Sequence, residues 1–499
     1  MTVEYRSTRS DNVTAGSTAA IIKGIAADGG LFVPQEMPKV DLAFIEGLQH
    51  LSYDERAKKV LGLFLTDYTQ DELEGCVHRA YASGKFDTEK RAPLQIFDDF
   101  SVLELFHGPT SAFKDMALQL LPQLMGTALK KTGEKKEVLI LVATSGDTGK
   151  AALEGFADVS QISIMVFYPE GGVSPIQRLQ MVTQKGSNVN VTAVRGNFDD
   201  AQAGVKKIFG DKAFNAQLER EGVRLSSANS INWGRLVPQI VYYFSAYADL
   251  LSAGKIQPED KVNFTVPTGN FGNILAGFYA KCMGLPVGKL VCASNANNVL
   301  TDFLRTGIYN RKREFFKTIT PSMDILISSN LERLLYHVTR DADKVSGWMK
   351  ELAENGRYDV GSDVLKKMQE TFWADFTKDE GTKVCIDEVF KEKHYLLDTH
   401  TSVAWSVAEK YRKKTGDVCP MIIVSTASPY KFSGSVLAAL GDETAPTEPF
   451  ALLSELEKKT GTKAPIGLSS LKAKKVLHQD AVDREMMEDA VMKFAKSMT

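Results

Sequence analysis

Three short stretches hold the residues most able to do chemistry. The first, "HGPTSAFKDMALQLLP", places one lysine, Lys114, between a Gly-Pro turn and the start of an apolar helical pattern. A lysine amine is a nucleophile only when neutral, and burial or a positive helix terminus favours that state. Phe113 before it and Met116, Ala117 and Leu118 after it supply apolar surroundings, while Asp115 suits either a buried or an exposed lysine. Most lysines lay the stem on apolar surface and keep the ammonium in water. Lys114 therefore needs partners before it can be read as a catalyst.

The second stretch is "PTGNFGN", in which Gly269 and Gly272 flank Asn270 and Phe271, with Asn273 following at a helix start. Such a loop can fold its N–H groups into a concavity where the helix dipole favours an anion. It reads as a phosphate cradle without a lysine; a plain glycine turn is the simpler alternative. The third, "ATSGDTGKAA", looks like a nucleotide phosphate loop, but Thr144 stands where the first glycine belongs and Ala151 where Ser or Thr follows the lysine. What remains is a run of small residues, Ser145, Gly146, Asp147 and Thr148, suited to gripping a carboxylate with backbone N–H groups. Helix capping by Ser145 or Asp147 is an equal reading.

An amine nucleophile, a phosphate cradle lacking its own cation and a carboxylate-gripping loop together imply a phosphorylated aldehyde cofactor that reacts with amino acids. Pyridoxal 5'-phosphate fits all three. No metal is expected, because the five cysteines are scattered and form no CxxC pair. The net charge of -2 gives no pull toward nucleic acid or anionic membrane, so the expected partner is a small metabolite. The polar start and the absence of a bilayer-length apolar run lead us to expect a soluble, cytoplasmic protein. Oligomeric state, monomer or homodimer, stays open.

These residues need a scaffold, and 499 residues are enough for two or three domains. Residues 1–95 read as a helical N-terminal unit. Residues 96–240 read as a first α/β region carrying Lys114 and the carboxylate loop, and 241–499 as a larger α/β region with the phosphate loop. Within the latter, about 305–398 reads as a helical insertion, and a charged tail follows Asp442. "EVLILVATSGDTGKAALEGFAD", "KVNFTVPTGNFGNILAGFYAKCMG" and "CPMIIVSTASPYKFSGSVLAAL" each run from apolar strand through loop to helix. That grammar predicts an α/β fold with open, mostly parallel sheets covered on both faces.

"HGPTSAFKD", "ATSGDTGKAA", "YPEGGVSPIQRLQM", "NSINWGRLVPQIVYY", "VPTGNFGNILAG", "PSMDILISSNLERLL" and the N-terminal "YRSTRS…GIAADGGLFVPQEMP" resemble threonine synthases of the bacterial and fungal type, in order and over nearly the whole chain. The resemblance implies the tryptophan synthase β-like architecture, fold type II of the pyridoxal-phosphate enzymes. It implies a Schiff base on Lys114, with Phe113, Gly269, Asn270, Phe271, Gly272, Asn273 and Thr426 as the cofactor set, Thr426 facing the ring nitrogen.

The substrate set it implies is Ser145, Gly146, Asp147 and Thr148 for the carboxylate and Asn229, Ser230 and Arg235 for a substrate phosphate. Asp147 stands where related enzymes often carry Asn, and its role is left open. His107 and His400 are expected to stabilise turns, and Ser428 replaces the family's usual His. The implied activity is a lyase of threonine biosynthesis: O-phospho-L-homoserine and water give L-threonine and phosphate by γ-elimination and β-addition. A phospho-lyase releasing 2-oxobutyrate and a non-catalytic binding protein on the same fold are the alternatives.

Overall fold

The computed structural model describes residues 3–82, 84–144, 146–442 and 446–498. In chain order the strands are β1 (Tyr5–Ser7), β2 (Thr14–Ala15), β3 (Phe32–Pro34), β4 (Leu94–Ile96), β5 (Ser101–Glu104), β6 (Glu137–Ala143), β7 (Ile162–Pro169) and β8 (Val189–Arg195). They continue with β9 (Val223–Ser226), β10 (Val262–Pro267), β11 (Val287–Ser294), β12 (Ile308–Asn310), β13 (Arg357–Asp359), β14 (Phe372–Phe376), β15 (Met421–Ser425) and β16 (Ala481–Asp483). Two larger sheets dominate. One has the order β14-β11-β10-β15-β5-β4, parallel except at β4; the other, β16-β8-β7-β6-β9, is parallel throughout.

The apolar runs explain this arrangement. Every residue of β7, β10 and β15 is buried, so these strands need helices on both faces, and parallel neighbours need long crossovers to supply them. In such sheets the loops leaving the carboxyl ends of strands form the ligand crevice. Here those are the loop after β6 that enters helix Asp147–Phe156, the loop after β10 that enters helix Gly272–Met283, and the loop after β15 that enters the short turn Pro429–Phe432.

Sheet membership does not follow the chain in blocks. β4 and β5 join the sheet built from the second half of the chain, whereas β16 of the tail joins the sheet built from residues 137–226. The stretch expected to be a helical insertion does contain four helices, Leu331–Thr339, Ala342–Asn355, Gly361–Thr371 and Asp379–Lys393, but also β12, β13 and the sheet-edge strand β14. The N-terminal unit likewise adds the small antiparallel sheet β2-β1-β3 to its helices.

That unit braces the helix Trp233–Ser252, which is buried along nearly its whole length. Helices Tyr53–Gly62 and Gln70–Ala80 each start with a capping box, Ser52 with Glu55 and Thr69 with Glu72. From the first of them the buried Arg56 reaches Asp249 at 2.6 Å and Ser245 Oγ at 2.7 Å. At the other end, Trp233 packs against Tyr5, Phe64 and Tyr279 with ring centroids 5.2, 5.6 and 5.7 Å away. The start of this helix, which carries Arg235, is thereby fixed. Among the described residues no helix is long and apolar enough to cross a membrane.

Candidate active site

Lys114 opens the helix Lys114–Leu118, and the chain before it is strapped to the end of β15. Phe113 N–H donates to Thr426 O at 2.8 Å, Ser428 N–H donates to Ser111 O at 3.0 Å, and Ala112 and Ala427 form a bridge. Ser111 takes a left-handed φ of 59° to make the turn. Asp115 closes it by accepting from Thr110 N–H at 2.8 Å and Thr110 Oγ1 at 2.7 Å. Thr426 therefore sits beside the root of Lys114, and the Phe113 ring lies 5.0 Å from Nζ. Burial lowers the Lys114 pKa to about 8; Asp147 opposes the shift, and the charges of Arg235 and Lys431 add to it. The amine can thus be neutral near physiological pH.

In the phosphate loop, Phe271 adopts φ 63° and helix Gly272–Met283 begins directly after it. The first N–H groups of a helix have no intrahelical acceptors, and here they open into this loop. A Cβ on Gly269 would lie 2.8 Å from Ser322 O, so only glycine fits. The loop is held from behind: Ser328 Oγ donates to Gly269 O at 2.7 Å and Asn330 Nδ2 donates to Asn270 O at 3.0 Å. Asn273 Oδ1 accepts from Tyr242 and Tyr243 hydroxyls at 2.7 and 2.9 Å, while its buried Nδ2 has no protein partner.

In the carboxylate loop, Ser145 lies outside the described residues. Gly146 has φ 147°, and a Cβ there would meet the Gln177 amide at 2.5 Å. Asp147 does not cap the helix, where Thr144 Oγ1 accepts from the Gly146 and Gly149 N–H groups, both at 3.0 Å. Asp147 turns instead to Lys431 Nζ at 2.8 Å and to Gln177 Nε2 at 2.9 Å, with Lys114 Nζ 3.7 Å away. Burial would raise this carboxyl, but the Lys431 and Lys114 charges and the hydrogen bonds from Lys431 and Gln177 outweigh it and hold Asp147 well below the carboxylate range. Thr148 is half-buried on the same turn.

Arg235 is buried at 4% exposure, and among the described residues its guanidinium makes one hydrogen bond, from Nη1 to Ala228 O at 2.9 Å. Its Nε has no partner, and among the described residues no carboxylate pairs with it. Burial lowers its pKa to about 10. A buried guanidinium without a counter-ion is suited to receiving an anion. Ser230 Oγ accepts from Asn330 Nδ2 at 3.2 Å, which joins this stretch to the phosphate loop, whereas Asn229 is exposed. His107 is bound by Asp87 at 2.5 Å and Glu104 at 2.9 Å. His400 bridges Asp398 Oδ1, 3.1 Å from its Nδ1, and the Ser322 N–H, 3.2 Å from its Nε2. Ser428 Oγ accepts from Tyr430 N–H at 3.3 Å, starting the 429–432 turn.

Four residues at this site escaped the sequence reading: Lys431, Gln177, Asn330 and Arg333. Arg333 is fully buried and donates to Phe32 O, Asn330 Oδ1 and Ile231 O at 3.0, 2.5 and 2.6 Å, tying the N-terminal unit to the stretch 229–235 and, through Asn330, to the loop 269–273. A signal existed for Lys431, a lone cation in the third strand-loop-helix unit, five residues after Thr426. The other three lie within the family-like stretches 168–181 and 321–335, but nothing in those stretches singles them out.

The residues present fit pyridoxal phosphate. The chain offers an amine near its neutral state, a helix N-terminus at a glycine loop, and a buried donor, Asn273 Nδ2, that protein atoms leave unused. Family models agree: "Pyridoxal-phosphate dependent enzyme" matches residues 100–362, "Threonine synthase N terminus" 4–81 and "Threonine synthase, C-terminal" 401–469. Fold and site together define a pyridoxal-phosphate enzyme of fold type II.

Two relatives and one solved structure narrow this further. Threonine synthase of Saccharomyces cerevisiae is 37% identical, over 98% of this chain and 97% of its own length. The crystal structure of pyridoxal-phosphate-bound threonine synthase from Brucella melitensis superposes with a TM-score of 0.88 at 38% identity, covering 99% of this chain and 100% of that one. The human protein named threonine synthase-like 1 is 42% identical over 84% of this chain, which spans 57% of its length. The chain belongs to the threonine synthase family.

Proposed function

We propose that this chain is a threonine synthase that turns O-phospho-L-homoserine and water into L-threonine and phosphate. The observations that carry the reading are a largely buried amine, Lys114, facing Asp147, and a buried guanidinium, Arg235, with which no carboxylate among the described residues pairs. One group can serve protons and the other an anion.

Lys114 would hold the cofactor beside Phe113, with Gly269 to Asn273 around its phosphate and the Thr426 hydroxyl toward its ring nitrogen. A hydroxyl there leaves that nitrogen less protonated than a carboxylate would. When bound, the cofactor supplies the electron sink that acidifies substrate C–H bonds. Lys114 Nζ takes protons from the substrate α- and β-carbons and returns protons at the γ- and α-carbons, a task suited to an amine whose pKa lies near the working pH. Asp147 and Thr148, with Ser145, grip the substrate carboxylate through backbone N–H groups and small hydroxyls, while Gly146 shapes the turn. Arg235, assisted by Ser230 and Asn229, neutralises the phosphate that leaves the γ-carbon, in a site dry enough to strengthen the contact.

The test is to incubate the purified, cofactor-loaded protein with O-phospho-L-homoserine and quantify all products. Threonine equal to phosphate supports the synthase. Phosphate with 2-oxobutyrate in place of threonine would make the protein a phospho-lyase, and no turnover with no cofactor absorption would leave a binding protein on this fold.

A further inference from the structure

Two lysines share Asp147. Lys431 Nζ lies 2.8 Å from Oδ1 and also donates to Thr110 O at 2.9 Å, with its side chain wholly inaccessible. Lys114 Nζ faces Oδ2 at 3.7 Å, beyond hydrogen-bond reach. Gln177 Nε2 donates to Oδ1 at 2.9 Å and Ser322 Oγ approaches Oδ2 at 3.4 Å. The carboxylate is thus committed to Lys431 first. The two partners come from different sheets, Asp147 from the loop after β6 and Lys431 from the turn after β15.

The remaining charges around Lys114 do not substitute for this arrangement. Asp115, on the same short helix, spends both oxygens on Thr110, and burial raises its pKa to about 6. Glu154, which acts on Asp115 from the helix Asp147–Phe156, is paired with Lys150 at 2.7 Å. Arg235, from the helix Trp233–Ser252, is cationic and repels a protonated Lys114. Asp147 is therefore the carboxylate that faces Lys114 with an oxygen available to it, and Lys431 competes for it.

We propose that Lys431 is a positioning residue for the Lys114 amine: by engaging Asp147 it prevents that carboxylate from retaining the proton on Lys114. The inference rests on the reading of Lys114 as the amine that holds the cofactor. Without Lys431, Asp147 would have Lys114 as its sole cationic partner at this distance, and an opposing charge nearby stabilises the protonated amine.

The test uses the full chain stripped of cofactor, in which Lys114 is free. Competitive acetylation with acetic anhydride across a pH series, read by peptide mass spectrometry, gives the midpoint at which Lys114 becomes reactive. The wild-type midpoint is expected near pH 8. In Lys431→Met it should rise by about one pH unit or more, about tenfold less free amine at neutral pH. Lys431→Arg should restore the wild-type value. Should the methionine variant not fold, Lys431→Gln keeps an uncharged donor at the same place, and the same rise is expected. An unchanged midpoint in a folded Met or Gln variant overturns the proposal. Borohydride trapping of pyridoxal phosphate on the wild-type chain tests the underlying reading separately. Label on another lysine would defeat that reading, whereas label on Lys114 with an unmoved midpoint would defeat only the role of Lys431.

Discussion

Removing the charge of Arg235 should make the substrate-free protein more stable and less able to bind phosphate. Burial moves the Arg235 pKa from its ordinary 12.5 to about 10. At about 1.4 kcal/mol per pH unit, holding it charged at neutral pH costs about 3 kcal/mol. Arg235→Met removes that cost, keeps most of the side-chain volume, and forfeits the bond to Ala228 O, a loss of about 1 kcal/mol. The net gain is about 2 kcal/mol. For a chain of this length, unfolding entropy makes that about 2 °C in Tm.

Inorganic phosphate should act in the opposite sense. At a hundredfold excess over Kd a bound ligand adds about 2.7 kcal/mol, so wild type should gain stability with phosphate, and Arg235→Met should not. Scanning fluorimetry at saturating cofactor, with and without phosphate, measures both effects, and kinetics on O-phospho-L-homoserine should show a raised KM. An Arg235→Met protein that melts lower than wild type without phosphate, yet responds to phosphate equally, would refute the assignment of Arg235 as an anion receptor.

Lys114→Ala should fold normally and lose covalent cofactor attachment, with turnover down by about a thousandfold or more; retention of full activity would remove Lys114 from its role. Gly146→Ala forces a Cβ into the Gln177 amide at a φ of 147°, which should cost about 1–3 kcal/mol of stability and lower kcat/KM by displacing the Gln177 bond to Asp147; unaltered kinetics would contradict this. His107 supplies a pH dependence. Burial opposes its charge, but the hydrogen bonds its ring donates to Asp87 and Glu104 raise its pKa from 6.5 to about 9. A raised folded-state pKa gives stability fully present below pH 6.5 and lost as pH rises through about 9. Because Asp87 is half exposed, about 2 kcal/mol is expected; a denaturation series in which His107→Gln shows the same loss as wild type over that window would refute it.

The site was legible in the sequence where chemistry is local. The loop 269–273 and the run 146–148 each sit at a strand-to-helix junction and Lys114 at a helix start, and composition alone announces such places. Arg235 was recognisable by its motif, although its burial without a counter-ion emerges only from the packing of helix Trp233–Ser252. Capping by Thr144 was hidden because Ser145 and Asp147 are equally good capping types at neighbouring positions. Lys431, Asn330 and Arg333 reach Asp147, Asn270 and Phe32, residues far away in sequence, and periodicity does not encode such contacts. The same limit applies to the fold. Buried strands were readable from their apolar runs, but the entry of β4 and β5 into the sheet of the later chain, and of β16 into the earlier one, depends on packing between segments separated by hundreds of residues.

The most direct test of function is conversion of O-phospho-L-homoserine in ¹⁸O-labelled water, with threonine, phosphate and 2-oxobutyrate measured together. Equal amounts of threonine and phosphate, with the label in the threonine hydroxyl and none in the phosphate, is the expected result. Label in the phosphate, or 2-oxobutyrate in place of threonine, would contradict elimination at the γ-carbon followed by addition of water at the β-carbon.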